Sequence, residues 1–62
     1  MTTFRFVWLS PDNSISQIRD LTLADDTAAQ AVAAQLLEKE TIEVWQGGRL
    51  VLRLDPASHT SH

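Results

Sequence analysis

At 62 residues the chain has room for one small domain and no second one. A composition of 44% hydrophobic and 21% charged residues, with two glycines and two prolines, excludes collagen-like, low-complexity and fully disordered classes. Five Lys+Arg against eight Asp+Glu give a formal net charge of −3, a poor balance for gripping nucleic-acid phosphates, and the absence of cysteine removes disulfides, thiolate zinc sites and thiol catalysis.

The opening residues Met1-Thr2-Thr3-Phe4-Arg5-Phe6 lack the charged leader and long apolar stretch of a secretory signal. The longest apolar run, Phe6 to Leu9, is far short of the roughly 20 residues that a membrane span requires. The expected location is therefore the cytoplasm, with no membrane partner.

Phe4 to Ser10 is rich in aromatic and β-branched residues and predicts a first strand. Phe4, Phe6 and Trp8 share one parity, and Arg5, Val7 and Leu9 the other, so both faces are largely apolar and the strand reads as central. Pro11-Asp12-Asn13-Ser14 supplies turn chemistry. The second strand, Ile15 to about Thr22, is more polar and suits an edge.

Leu23-Ala24-Asp25-Asp26-Thr27 predicts a helix start, with Asp25 or Asp26 as the cap, because a carboxylate oxygen accepts from the free N–H groups of the first turn. The helix extends to about Lys39. At 100° per residue, Ala28, Ala29, Val32, Ala33, Leu36 and Leu37 fall on one side. Alanines there let the helix approach a sheet closely, leaving large Phe and Trp side chains to fill the space; the opposite parity of the first strand would instead turn Phe4, Phe6 and Trp8 to the open face.

Thr41–Gln46 and Arg49–Leu54 predict a closing hairpin around Gly47-Gly48. A three-residue loop, Gln46-Gly47-Gly48, with a glycine bulge gathers Ile42, Val44, Leu50, Leu52 and Leu54 on one face. The other face then carries Glu43, Trp45, Arg49, Val51 and Arg53. Residues 1–55 form a single domain on this reading, and 56–62 a disordered polar tail.

The element order is ββαββ, an α+β class. Taking the first and last strands as the most apolar, and hence central, predicts a four-stranded mixed sheet in the order 2-1-4-3 with one helix on one face. In element order and length this layout resembles the β-grasp fold and the immunoglobulin-binding domains of protein G. No binding motif of that family is matched, so the resemblance implies a fold and no activity. Glu43-Val44-Trp45-Gln46-Gly47-Gly48-Arg49-Leu50-Val51, after a capped Ala-rich helix, also resembles a stretch shared by short bacterial hypothetical proteins. That second resemblance implies no activity either.

The search for chemistry yields little. His59 and His62 stand in the tail, where nothing preforms a metal site, and Ser10, Ser14 and Ser16 have no histidine beside them in the ordered part. Asp25 and Asp26 read as capping residues, and Gly47-Gly48 is too short to cradle a phosphate. No catalytic residue, metal or cofactor is expected, and the chain reads as a non-enzyme.

One helix cannot cover both faces of four strands. The far face would hold Trp45, Val51, Arg49, Arg53, Val7 and Leu9, an apolar patch with the residue types enriched at interface hot spots. A domain this small buries only about 60% of its unfolded surface, so association would relieve marginal stability. The expectation is a homodimer, joined sheet face to sheet face or through an edge strand, or a domain that binds another protein through that face. The alternative is single-stranded nucleic acid stacked on Trp45 between arginines, opposed by the net acidity and by Glu43 and Asp20 on the same face.

Overall fold

A computed structural model describes residues 1–56. The expected tail, with His59 and His62, lies at 57–62 outside the described residues apart from its first residue, Pro56. The elements are β1 (Thr2–Leu9), β2 (Ile15–Leu23), α1 (Asp26–Leu36), β3 (Thr41–Gln46) and β4 (Arg49–Leu54).

Phe4 and Phe6 are fully buried at the centre of β1 and mark it as an inner strand. After Leu9 the chain reverses through Ser10–Ser14. The Asn13 N–H donates to the Ser10 carbonyl and the Ser10 N–H to the Ser14 carbonyl, both at 2.8 Å. The Ser14 N–H reaches Asp12 Oδ1 at 3.0 Å, which holds the Asp12 carboxyl below its usual range. Asn13 takes a φ of 69°, a left-handed conformation that asparagine tolerates. β2 then lies antiparallel to β1, with Phe4 opposite Leu21 and Val7 opposite Ile18. A bulge leaves Ser16 outside the ladder between the pairs Trp8–Gln17 and Leu9–Ile15.

Asp25 is the helix cap: its extended backbone precedes the first turn, and its Oδ1 accepts the Ala28 N–H at 2.9 Å. The helix ends at Leu36, earlier than its sequence periodicity suggests, because Leu37 is already extended. Only Ala29 and Ala33 are fully buried on it; Val32 and Leu37 pack beside them, while Leu36 is 40% exposed. Two methyl groups present the helix to Phe4, Phe6, Ile42 and Val44, so the bulk of the core comes from the sheet.

The sheet order is β2-β1-β3-β4, with every neighbouring pair antiparallel. This corrects the expected 2-1-4-3 order: β3, not β4, lies beside β1, and the sheet is wholly antiparallel rather than mixed, without the parallel pairing of first and last strands that the expected order entails. The physical reason lies in burial. β3 buries Ile42 and Val44 completely under the helix and half-buries Glu43 and Trp45 on the reverse, as an inner strand must. β4 is richer in leucine, yet it exposes Arg49, Leu50 and Arg53 and carries a bulge, two marks of an edge.

The closing loop has two residues, Gly47-Gly48, between the pair Gln46–Arg49, with Gly47 at φ 60°. The expected three-residue loop is therefore corrected. The extra residue sits one step later, where Val51 falls between the pairs Trp45–Leu50 and Val44–Leu52. That bulge restores the hydrophobic pairs Val44–Leu52 and Ile42–Leu54 on the helix side but moves Leu50 to the other face, opposite Trp45.

Candidate functional site

The face of the sheet turned from the helix carries Arg5, Val7 and Leu9 from β1, Ile15, Ile18 and Asp20 from β2, Glu43 and Trp45 from β3, and Leu50 and Arg53 from β4. Their assignment follows from register, since directly opposed residues share a face. One row across the sheet reads Ile18, Val7, Glu43, Arg53. Val7 is only 7% exposed although no helix covers it, because its row neighbours close over a small β-branched side chain.

Charges on this face are matched. The Arg5 Nε–H donates to Asp20 Oδ1 at 3.0 Å across the β1–β2 ladder, raising the guanidinium pKa and lowering that of the carboxyl. Arg53 Nη1 lies 3.2 Å from Glu43 Oε2, and the Trp45 indole Nε1–H donates to Glu43 Oε1 at 3.2 Å. Glu43 is the most sheltered of these charges, its side chain 17% exposed. Thr3, Arg5, Asp20, Trp45 and Gly47 border a shallow cleft of about 320 Å³.

Of the residues expected here, Trp45, Arg53, Val7 and Leu9 share the face. Arg49 does not join them: it turns to the start of the helix, with Nη1 3.4 Å from Asp26 Oδ2, and also contacts Gln46 Oε1. Val51 is half-buried against the core cluster rather than beside Trp45. Both corrections have one cause, the two-residue loop followed by a bulge, which changes parity through Arg49, Leu50 and Val51.

Ile15, Ile18 and Leu50, at 60%, 50% and 44% exposure, take their place. Alternation groups Ile18 with Asp20 on one face of β2, but their places opposite Val7 and Arg5 depend on the turn and the Ser16 bulge. Leu50 carries no such signal without the bulge.

Elsewhere, Trp8, Pro11, Leu36, Glu38, Lys39 and Glu40 border a cleft of about 400 Å³ at the C-terminal end of the helix. Glu40 accepts from Ser16 Oγ at 2.9 Å and Ser10 Oγ at 3.3 Å, tying the first turn and the β2 bulge to the segment before β3. The Ser10 and Ser16 hydroxyls are thus engaged by one carboxylate. Among the described residues no group of three or more His, Cys, Asp or Glu gathers at metal-binding distance, and no helix is long and apolar enough to cross a membrane.

No family model, curated protein or solved structure matches the chain.

Proposed function

We propose that this chain is a non-enzymatic association domain that pairs with a second copy of itself at the aliphatic corner of its open sheet face. The observation that carries the reading is the set Val7, Leu9, Ile15 and Ile18, contiguous through the pairs Val7–Ile18 and Leu9–Ile15, with both isoleucines at least half exposed. Aliphatic side chains left in water on a chain this small are the surface that association removes. Trp45 and Leu50 form a second, smaller apolar spot beyond the ion pairs.

The nucleic-acid alternative has less to stand on than composition alone suggested. Arg5 and Arg53 are engaged by Asp20 and Glu43, and Arg49 by Asp26, so stacking on Trp45 would find no unpaired arginine nearby among these three.

Sedimentation equilibrium from low to high micromolar concentration tests the reading, with Ile15→Asp as the variant. The wild-type chain is expected to reach the mass of a dimer and the variant to stay monomeric. A wild-type monomer throughout, or a variant that dimerises unchanged, overturns it.

A further inference from the structure

We infer that the two copies join side by side, β2 against β2 in antiparallel sense with Ile18 opposite Ile18, so that two four-stranded sheets become one of eight strands. This rests on the self-association reading and specifies its geometry. β2 is an edge strand, bonded on one side to β1, and every residue from Ile15 to Asp20 is exposed. Its free side therefore presents backbone N–H and C=O groups with no strand among the described residues to pair with, the template for strand addition. β4, the other edge, is kinked near its middle by the Val51 bulge, whereas the β2 bulge at Ser16 lies near one end and leaves Gln17 to Leu23 regular.

Register then narrows the choice. A two-fold axis through the sheet keeps the helices of both copies on one side, so a residue can oppose only residues of its own face. Gln17, Arg19 and Leu21 lie on the helix face and Ile18 and Asp20 on the open face. Centring the axis on Arg19 sets two guanidiniums in opposition, and centring it on Asp20 sets two carboxylates in opposition. Centring it on Leu21 avoids both clashes but leaves Ile18 in water.

Centring it on Ile18 avoids like charges as well. It sets Arg19 of each copy against Gln17 of the other. On the open face it makes a row running Val7, Ile18, Ile18, Val7, with the Glu43–Arg53 pairs at its two ends. The half-exposed isoleucine thereby covers its own copy, and the aliphatic corners of two chains merge into one strip.

Because the chain has no cysteine, single Ile18→Cys and Asp20→Cys variants report the register directly. Position 18 would meet itself across the axis at a separation a disulfide can span, and position 20 would not. Under mild oxidation Ile18→Cys is expected to form a covalent dimer at least ten times faster than Asp20→Cys. Equal rates, or faster coupling at position 20, overturn the register. A wild-type dimer by sedimentation with no preference for position 18 leaves self-association standing and removes only the edge geometry, whereas a wild-type monomer removes both. Ile18→Arg, at a half-exposed position, is expected to abolish the dimer while leaving the far-ultraviolet circular dichroism unchanged, and a folded variant that still dimerises overturns the edge geometry.

Discussion

The Trp45 indole Nε1–H donates to Glu43 Oε1 at 3.2 Å, a bond between side chains two residues apart on one face of β3. Glu43 Oε2 meanwhile takes Arg53 from the neighbouring strand, so a single carboxylate fixes both an aromatic ring and a cation. Glu43→Ala removes both partners and is expected to cost about 1 to 2 kcal/mol, the sum of one side-chain hydrogen bond and one half-sheltered ion pair. Glu43→Gln retains an oxygen for the indole and is expected to cost about 0.5 kcal/mol. Urea unfolding followed by indole emission checks both, and equal losses for the two variants would mean that the Trp45 bond contributes nothing.

How much of this was legible in the sequence differs from residue to residue. The strands and the helix start declare themselves through aromatic and β-branched runs and through the Asp25-Asp26 pair, because those signals are local, while which aspartate caps is decided by the structure. Alternation groups Phe4 with Phe6 and Ile42 with Val44, but which parity of β1 meets the helix is decided only by the fold, which buries all four. Strand order was lost because leucine content was read as centrality, while the leucines of β4 serve an edge whose Val51 bulge turns two of them to the helix. Arg49 was misplaced for a related reason: one residue of loop length reverses every side chain beyond it, and Gly47-Gly48 fits loops of either length. The open face was foreseen as a surface, but its aliphatic corner depended on pairing Ile18 with Val7 across a turn whose length the residues do not announce.

The close approach of the helix depends on Ala29 and Ala33, both without exposed surface. Ala33→Leu inserts a bulky side chain where a methyl already touches the sheet and is expected to destabilise by about 1 to 3 kcal/mol. Ala34, next in sequence, is exposed, and Ala34→Leu makes the same chemical change in water. It is expected to stay within about 0.5 kcal/mol of the wild type. Thermal unfolding of the two variants side by side separates packing from helix propensity, and similar midpoints would contradict the close contact.

Two adjacent aspartates at the helix start do different work. Asp25→Ala strips the cap from the Ala28 N–H and is expected to cost about 1 kcal/mol. Asp26 pairs with Arg49 at 3.4 Å where both side chains are more than half exposed, so Asp26→Ala is expected to cost about 0.5 kcal/mol or less. Chemical denaturation of the pair decides the assignment, and a larger loss for Asp26→Ala would move the cap.

The Arg5–Asp20 pair carries a pH signature of defined sign. The bond from Arg5 holds the Asp20 carboxyl below its ordinary value, so folding favours the deprotonated form. The stabilisation is therefore complete above the ordinary aspartate pKa of about 3.9 and is lost as pH falls through the lower folded value. Arg5 itself, raised by the same bond, stays charged throughout and adds no pH dependence in that range. Asp20→Asn is expected to lower the urea midpoint slightly at pH 7 and to match the wild type near pH 2. Asp12, also lowered, is common to both proteins and cancels in the comparison. A difference of the same size at both pH values would assign the effect of the substitution to lost packing rather than to the charge.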